Sequence, residues 1–168
     1  MEIRRLTDLD AESYRQLRHE ALEREPQAFT ESVAEQRVMT LEAIKSRLVS
    51  AEDNFVLGAF IDRQLIGMAE FFRRRGEKIR HRGGIWGVYV SEEYRGKGVG
   101  RALLAELIGL VQLLPGIEQV ALAVSSENAG AKGLYESLGF EVYGCEKGAL
   151  KIAEEYVDEE LMVLYFRS

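Results

Sequence analysis

One turn constrains this chain more than any other stretch: "YVSEEYRGKGVGRALL" at residues 89–104. An apolar, strand-like run precedes the turn and an apolar, helix-like run follows it. Between them three glycines alternate with three basic residues: Gly96, Gly98 and Gly100 with Arg95, Lys97 and Arg101. Glycines let backbone amides approach a ligand closely, and the first amides of a helix have no partner inside it. Because the helix dipole adds positive charge at the same end, this order of elements predicts a phosphate site.

Two well-known phosphate motifs do not fit the turn. A P-loop needs Gly-Lys followed by Ser or Thr, whereas Gly100 is followed by Arg101 and Ala102. A dinucleotide fingerprint, Gly-x-Gly-x-x-Gly or Ala, also fails, because its third position is Arg101 or Leu103, depending on the starting glycine. The simpler alternative is a flexible turn with three solvated basic side chains, and the flanking strand and helix favour the phosphate site over it.

The rest of the chain alternates between strand-like and helix-like runs. Strands are predicted for "EIRRLT", "NFVLGAFI", "QLIGMAEFF", "GGIWGVYV", "IEQVALAVS", "EVYGCEKGALKI" and "ELMVLYF", with a hairpin turn at Asp62-Arg63 and an acidic connection at residues 154–160. Helices are predicted from Asp8 or Asp10 to about Glu25, over residues 41–51 and 99–114, and within "NAGAKGLYESLGF". Strands dominate and helices are spread among them, so we expect one mixed α/β or α+β domain around a single sheet.

Composition excludes several classes of protein. The net charge is −6, which argues against a binder of bulk polyanions. Cys145 is the only cysteine and there are two histidines, so we expect no internal disulfide and no zinc site of the Cys-x-x-Cys kind. No secretory leader follows Met1, and charges interrupt the most apolar run, so we expect a cytoplasmic protein without a membrane span.

One segment departs from the acidic balance: "RRRGEKIRHR" at residues 73–82, in which six lysines and arginines stand against one acid. Such a run is typical of a solvated connection between two strands. A dock for phosphates or nucleic acid is the alternative. The run contains no aromatic side chain that would stack on bases, which argues against nucleic acid.

The glycine turn fits the pattern Arg-x-x-Gly-x-Gly at Arg95, Gly98 and Gly100, and about thirty residues later comes "VSSENAGAKGLYESLGF". In these two stretches the sequence resembles the GNAT superfamily of acyl-CoA-dependent N-acyltransferases, whose motifs have the same order and spacing. The resemblance extends over residues 85–140. It implies one N-acetyltransferase domain over residues 1–168 with a mixed, mostly antiparallel sheet of about six to seven strands, about four flanking helices and a splay at the cofactor-binding strand.

The resemblance also implies acetyl-CoA as the cosubstrate and no metal. It assigns the coenzyme's pyrophosphate to the turn, where basic side chains would reinforce the amides: Arg95, Gly96, Lys97, Gly98, Val99, Gly100 and Arg101. It assigns the pantetheine arm and the thioester carbonyl to backbone amides of Val88 and Val90, and it gives Asn128 contacts to the coenzyme. Gly87 is consistent with the bulge that this strand has in the family, although close packing against a neighbour would also explain a glycine there.

Two residues are candidates for proton transfer. The resemblance gives Tyr135 the role of acid for the leaving sulfur, and a phenol is protonated at neutral pH and close in pKa to an alkyl thiol. The alternative for Tyr135 is that it is an aromatic residue of the core. Asn128 lies about two helical turns earlier, and the alternative for it is a plain helix N-cap. Some relatives have a glutamate that acts as the general base at the position where this chain has Gly84. Glu70 on the adjacent strand is therefore the candidate for this role, and the alternative is that Glu70 is an exposed glutamate of the strand without a catalytic role.

The leading hypothesis is an acetyl-CoA-dependent N-acetyltransferase in which a primary amine attacks the thioester directly. Cys145 lies outside both motifs and gives a covalent route little support. The alternative is a non-catalytic acyl-CoA-binding regulatory module. No motif identifies the acceptor, a small-molecule or peptide amine, and the acidic remainder of the chain favours a cationic amine, a polyamine or a basic peptide end. A homodimer that pairs through "ELMVLYF" at a sheet edge is left open.

Overall fold

The computed structural model describes residues 1–49 and 51–166. These residues form seven strands and five α-helices. The strands are β1 (Glu2–Arg5), β2 (Asn54–Ile61), β3 (Gln64–Arg73), β4 (Arg82–Val90), β5 (Gln119–Ser125), β6 (Glu141–Ile152) and β7 (Glu155–Tyr165). The helices are α1 (Ala11–Arg24), α2 (Val33–Arg37), α3 (Leu41–Leu48), α4 (Val99–Gln112) and α5 (Ala129–Ser137). The predicted mixture of strands and helices is confirmed, with one α-helix more than expected.

All seven strands belong to one sheet in the order β1-β2-β3-β4-β5-β7-β6. Neighbouring strands are antiparallel except β4 and β5, which run parallel. That parallel pair is joined only where residues 82–84 face residues 119–121, so the two strands separate beyond Gly84. The prediction of a mostly antiparallel sheet that splays at one strand is confirmed, and the splay opens a cleft within the sheet.

Helices cover both faces of the sheet. Successive side chains of a strand point to opposite faces, so apolar side chains of the central strands need a helix on each face to be buried. On one face α4 buries Leu103 and Leu107 completely against β2 and β3. On the other face α1 and α3 bury Leu17 and Ile44 in a second cluster that includes Met68 of β3. Burying one such side chain contributes roughly 1.5–3 kcal/mol. The two layers therefore make β2, β3 and β4 a firm support for one side of the cleft.

Local backbone signals fix the hairpin and the helix ends. Asp62 and Arg63 take φ values of 49° and 66°, as a type I′ turn requires, so the predicted hairpin between β2 and β3 is confirmed. The one-turn helix α2 is not among the predicted helices, because five residues are too few for a periodic pattern. Its start is fixed by a capping box in which Ser32 and Glu35 each accept a hydrogen bond from the other's backbone amide.

Two predictions about the end of the chain are wrong. The acidic stretch 154–160 does not connect the last two strands, because a tight turn at Ala153, with a φ of 54°, joins them and β7 contains most of the stretch. Some of these acidic side chains form ion pairs with neighbouring basic residues. Nζ of Lys132, for example, lies 2.8 Å from Oε2 of Glu160. β7 also lies between β5 and β6, so "ELMVLYF" offers no free sheet edge for a dimer; the edge strands are β1 and β6.

The basic segment 73–82 connects β3 to β4, so its interpretation as a connection between strands is confirmed. Arg73 holds this connection in place, because its guanidinium donates to the carbonyl oxygens of Arg80 (2.6 Å) and Pro115 (2.9 Å). The second bond ties the connection to the one that follows α4. In the part of the chain that the structure describes, no helix is both long and apolar enough to cross a membrane.

Candidate functional site

The cleft between β4 and β5 has two halves. The loop half is lined by the glycine turn, the end of β4 and α5, through Val88, Val90, Gly96, Gly98, Gly100, Asn128 and Tyr135 among others. The arginine half is lined by residues of α1, α3, the segment before α2, β3 and β4, among them Arg18, Phe29, Glu31, Arg47, Phe72 and Trp86. Of the twelve residues predicted for the site, all line the cleft except Lys97 and Glu70.

The glycine turn needs two of its glycines for their backbone conformation. Gly96 and Gly98 have φ values of +71° and +80°, which L side chains rarely adopt, and a Cβ at either position would meet no atom within 4 Å. Gly100 differs, because a Cβ there would make an ordinary contact of 3.5 Å with Leu134. A ligand that approaches Gly96 and Gly98 therefore meets backbone and no side chain.

Helix α4 begins directly behind the turn, with Gly98 as its N-cap. The first intrahelical bond runs from the amide of Ala102 to the carbonyl of Gly98 (3.0 Å), so the amides of residues 99–101 have no acceptor inside the helix. The helix has 14 residues, and its dipole places partial positive charge at this end. The turn is therefore suited to bind a phosphate through its backbone N–H groups.

The three basic side chains of the turn already have partners within the protein. Arg95 donates to the carboxylate of Glu25 (2.9 Å) and to a carbonyl of β4 (2.8 Å). Lys97 donates to a backbone carbonyl at 2.8 Å. Arg101 donates to the hydroxyl of Ser137 at 2.6 Å and lines the cleft. The backbone amides are therefore the groups of the turn that are free to donate hydrogen bonds to an anion, and the basic side chains add positive charge around them.

β4 carries a bulge beside the gap. Its register against β3 shifts there, and Gly87 has a φ of +60°, so the predicted bulge is confirmed. The amide of Ser91 donates to the carbonyl of Ile66 on β3 (2.9 Å). Because successive amides of a strand point to opposite edges, the amide of Val90 points away from β3 and into the gap. Val88, two residues earlier, lies in the bulge and is paired with neither β3 nor β5.

Helix α5 carries the two polar residues of the second motif. Asn128 is its N-cap, and Oδ1 of that side chain accepts a hydrogen bond from the amide of Ala131 (3.0 Å). Tyr135 is 7% exposed and packs edge-on against Phe140, with ring centroids 5.9 Å apart. Both residues also line the cleft. The structural roles considered for them, a helix cap and a core aromatic, are therefore confirmed, and their roles in binding and catalysis stay predictions.

Burial raises the pKa of Tyr135 to about 12. The phenol is therefore protonated at neutral pH and available as a hydrogen-bond donor in the loop half. An ordinary thiol has a pKa of about 8.5. Complete proton transfer from this phenol to a thiolate is consequently uphill, and a hydrogen bond to negative charge on sulfur is the chemistry that Tyr135 supplies best.

Two arginines from different helices meet in the arginine half. Arg18 of α1 is 8% exposed, and its Nε and Nη2 atoms lie 3.0 and 2.9 Å from Oε2 of Glu31. Arg47 of α3 donates through Nη2 to Oε2 of Glu70 at 3.4 Å. A guanidinium has five N–H donors, so each of these ion pairs uses only some of them.

Glu70 lies behind the wall of the cleft. It is 6% exposed, so the alternative of an exposed strand glutamate is wrong. Gly87, which lines the cleft, separates it from the open space: a Cβ at Gly87 would lie 3.9 Å from Oε2 of Glu70 and 3.1 Å from Nη1 of Arg18. The missing side chain of Gly87 therefore leaves two charged groups of opposite sign close to one point of β4.

The surroundings of Arg47 keep its guanidinium charged. Burial alone lowers the pKa of Arg47, but Tyr14, Glu70 and Glu31 together raise that pKa above its ordinary value. The hydroxyl of Tyr14 is itself buried and has no hydrogen-bond partner among the described residues. This part of the cleft is thus a polar cluster inside a largely apolar layer.

Sequence reasoning missed Arg18, Arg47 and Glu31. One signal was present in α1, where Arg18 lies four residues after the buried Tyr14 and four before the buried Leu22. An arginine on the apolar stripe of a helix needs a partner inside the protein or a ligand. Nothing comparable marks Glu31, which lies outside the helices.

Other reactive groups lie outside the cleft. Cys145 is exposed on the edge strand β6 and does not line the site. Among the described residues, no group of three or more histidines, cysteines and acids is placed to hold a metal ion. The groups that bear on chemistry here are the backbone amides of the turn and of β4, the phenol of Tyr135 and the two arginine–glutamate pairs of the arginine half.

Comparison with known proteins gives a family match over most of the chain. The model of the acetyltransferase (GNAT) family matches residues 5–140. Streptothricin acetyltransferase of Escherichia coli is 32% identical over 123 residues, which are 71% of this chain and 66% of that enzyme. Other curated acetyltransferases are matched over 19% to 48% of their length. The matched region thus spans two thirds or less of these relatives.

Solved structures share the fold over nearly the whole chain. An acetyltransferase of the GNAT family from Streptococcus pneumoniae superposes with a TM-score of 0.88 at 23% identity, and the match covers 99% of each chain. A protein from Salmonella typhimurium, solved with its cofactor acetyl-CoA, has a TM-score of 0.84 at 24% identity and is matched over 100% of this chain and 95% of that one. At such identities the comparison shows the fold alone, and the predicted fold class is confirmed.

Proposed function

This chain belongs to the GNAT family of acetyltransferases, and we propose that it transfers an acetyl group from acetyl-CoA to a primary amine. The observation that carries the proposal is the glycine turn at the start of α4, which offers backbone amides to a cleft between two separated strands. The activity in the names of its curated relatives and the acetyl-CoA in the Salmonella neighbour support it. In the proposal, residues 1–168 form one N-acetyltransferase domain whose motif-bearing core is residues 85–140.

The loop half fits the anionic part of acetyl-CoA. The amides of residues 99–101 lack acceptors inside the helix, and the space over Gly96 and Gly98 is open, so the turn would hold the pyrophosphate. Arg101 would contribute its charge at the cleft, whereas Arg95 and Lys97 would act mainly by holding the turn, because each is bonded to neighbouring protein groups.

The gap beside β4 fits the extended arm of the coenzyme. Val90 directs its amide into the gap, and Val88 lies unpaired in the adjoining bulge. These two amides would bind the arm and the thioester carbonyl, as added strands bind to a sheet edge. Asn128 lines the opposite wall, where the donor atoms of its side-chain amide would contact the same arm.

In the proposed reaction the neutral amine nitrogen attacks the carbonyl carbon of the thioester. A C–N bond forms, the C–S bond breaks, and its electron pair stays on the sulfur. A strand amide aimed at the carbonyl oxygen stabilises the negative charge that develops there, by a few kcal/mol. The nitrogen gives one proton to a base, and the sulfur leaves as a thiolate that takes one proton from water, so the products are an N-acetylated acceptor and a free thiol.

Tyr135 and Glu70 are the proposed groups that act on the leaving sulfur and on the amine. Tyr135 would donate a hydrogen bond to the leaving sulfur from its place in the loop half. Glu70 would receive the amine's proton past Gly87, directly or through one water. Its contact with Arg47 is long, at 3.4 Å, so a lone pair of the carboxylate remains for this task.

The acceptor is proposed to be a small-molecule or peptide amine that enters through the arginine half. A non-catalytic acyl-CoA-binding module is the second candidate, favoured by the high pKa of Tyr135 and by the ion pair that engages Glu70. Turnover of acetyl-CoA with an amine distinguishes the two candidates, because only the acetyltransferase releases thiol. A cytoplasmic location and a homodimer stay predictions.

The test is acetyl-CoA binding by calorimetry in the wild type, Gly98→Glu and Gly109→Glu. Gly109 is the matched control, because it also lies in α4 with no atom within 4 Å of a Cβ. We expect Gly98→Glu to bind at least about 100-fold more weakly, since a carboxylate would face the pyrophosphate, and Gly109→Glu to bind as the wild type does. Release of thiol with a panel of amines then shows turnover. A wild type that does not bind acetyl-CoA would overturn the proposal.

A further inference from the structure

We infer that the acceptor carries a carboxylate beside its amine, as an α-amino acid does, and that Arg18 and Arg47 bind that carboxylate. The inference rests on the proposed acetyl transfer and names the chemistry of its second substrate. It is carried by the arginine half of the cleft, which the coenzyme motifs leave without a role.

Arg18 has an unused donor at the cleft. Its Nε and Nη2 atoms are engaged by Glu31, whereas Nη1 has no hydrogen bond to any residue in the described part of the chain. That Nη1 atom lies 3.1 Å from the position that a Cβ on Gly87 would take. Although the Arg18 side chain is 8% exposed, Nη1 is not among the buried atoms without a partner, so it faces the open cleft, where an anionic oxygen of a ligand could take the place of water.

Arg47 and Arg74 add positive charge to the same region. Arg47 lines the cleft, and its 3.4 Å contact with Glu70 is longer than an ordinary charge-assisted hydrogen bond. Arg74 also lines the cleft and lies over the ring of Phe72, at 5.3 Å from its centroid. Over its whole lining by described residues the cleft has five arginines and five glutamates, whereas these three guanidinium groups stand together with Glu31 and the buried Glu70 as the carboxylates paired to them. The region therefore favours an anionic group on the ligand.

Glu70 supplies the complementary group for the amine. Its Oε2 atom lies 3.9 Å from the same Cβ position on Gly87 that Nη1 of Arg18 approaches. A cationic and an anionic group around one point of the strand match a ligand whose ammonium and carboxylate are separated by a single carbon. Val88 follows directly in the chain, so an amine held here would lie beside the strand amides proposed for the thioester.

Aromatic walls favour an apolar side chain on this ligand. Phe72 and Trp86 pack with ring centroids 4.8 Å apart, and Trp86 is 50% exposed although it lines the cleft. Phe29 lies beneath the guanidinium of Arg18 at 5.0 Å. A polyamine or a lysine-rich peptide would bring further positive charge towards three arginines. The charge beside Arg18, Arg47 and Arg74 thus points away from the cationic acceptor that the acidic total charge suggests.

The test uses leucine, methionine and phenylalanine, each in three forms that differ beside the amine: the L-amino acid, its amide and its decarboxylated amine. The amide represents the N-terminus of a peptide. Calorimetry measures binding of each compound to the protein alone and with coenzyme A, and thiol release from acetyl-CoA measures kcat and KM. We expect at least one amino acid to have a kcat/KM about 10- to 100-fold above those of its amide and its amine, mainly through KM.

Two variants test whether Arg47 and Arg18 cause the preference for the amino acid. Arg47→Gln, whose side-chain amide can still donate to Glu70, should reduce it below about three-fold. Arg18→Gln combined with Glu31→Gln, which removes the carboxylate together with its partner, should do the same. Arg15→Gln is the control, because Arg15 lies on α1 in an exposed pair with Glu12 and should keep the preference.

Equal use of amines and amino acids would overturn the inference, as would a preference that survives both variants. Acetyl-CoA binding without acetylation of any amino acid in the set would also overturn it. A failure of the proposed function has a different signature, the absence of acetyl-CoA binding. In that case, binding of the amino acids to the protein alone, compared with the decarboxylated amines, still decides whether the arginines recognise a carboxylate.

Discussion

The two halves of the cleft are built in opposite ways. The loop half draws on two short stretches, residues 87–101 and 128–135, and offers mainly backbone amides to its ligand. The arginine half assembles side chains from α1, α3, β3 and β4, which are distant in the chain. A site made of backbone needs glycine at fixed positions and so leaves a local pattern in the sequence. A site made of scattered side chains leaves no such pattern.

The halves also hold charge differently. In the loop half, positive potential comes from a helix N-terminus, and the basic side chains are bonded to carbonyls, a carboxylate and a hydroxyl. In the arginine half, full charges are paired in a partly buried cluster, where each ion has only a few partners. We therefore expect substitutions in the loop half to change coenzyme affinity, and substitutions in the arginine half to change turnover and the choice of acceptor.

The largest effect that would sharpen this comparison is expected for Glu70→Gln. Glutamine keeps the size of the side chain and an oxygen for Arg47 but cannot take a proton from the amine. We expect kcat to fall about 1000-fold while acetyl-CoA affinity stays within two-fold of the wild type, measured by thiol release and calorimetry. Glu12→Gln, at an exposed position on α1, is the control. An effect confined to the KM of the acceptor would contradict the role as base and leave Glu70 as the residue that positions Arg47.

Tyr135→Phe tests the one side chain of the loop half that is proposed to act on the leaving sulfur. We expect kcat to fall about 100-fold with unchanged acetyl-CoA affinity, because the hydroxyl would act on the sulfur only as the C–S bond breaks. Tyr156→Phe, at an exposed position of β7, is the control. A loss of coenzyme affinity equal to the loss of kcat would mean that the phenol contributes to binding and not to the chemical step.

The same variant has a signature in alkaline stability. Burial raises the pKa of Tyr135 to about 12, so the folded protein holds this proton more tightly than the unfolded chain, where tyrosine has a pKa of about 10. The contribution to stability is complete below pH 10 and is lost as the pH rises towards 12. Thermal unfolding of Tyr135→Phe should therefore change less than that of the wild type between these pH values. Equal slopes would contradict the perturbed pKa.

How much the sequence predicted follows the same division. The strands follow from apolar runs, and the hairpin follows from Asp62-Arg63. The loop half follows from the spacing of Gly96, Gly98 and Gly100 and from the second motif. In each case the signal lies within about ten neighbouring residues. Local patterns were sufficient where local backbone conformation determines the structure.

The failures arise where tertiary partners override the local signal. Residues 154–160 are acidic enough to suggest a loop, yet partners such as Lys132 let this stretch pair as a strand. Arg18 and Glu31 meet through a connection that has no helical or strand periodicity. Arg47 and Glu70 come from a helix and a strand 23 residues apart. Charge in sequence predicts exposure, but a partner that folding brings close reverses that prediction, and such partners are not visible in one sequence.

The smallest effects are expected from substitutions of two glycines at α4. One position tests the left-handed backbone of the turn, and the other tests helix propensity in the interior of the helix. Gly98→Ala places a Cβ at a φ of +80°, which we expect to lower the free energy of unfolding by about 1 kcal/mol and to weaken acetyl-CoA binding about five-fold. Gly98→Asn should be milder on both measures, because asparagine tolerates this conformation.

Gly109→Ala has the opposite sign. It replaces a glycine in the interior of the same helix, where nothing lies within 4 Å of a Cβ, and should raise the free energy of unfolding by about 1 kcal/mol without changing the affinity. Denaturant unfolding and calorimetry measure the two quantities. If Gly98→Ala and Gly109→Ala behaved alike, the turn would not depend on a left-handed backbone, and the contrast between a half built of backbone and a half built of side chains would lose its physical basis.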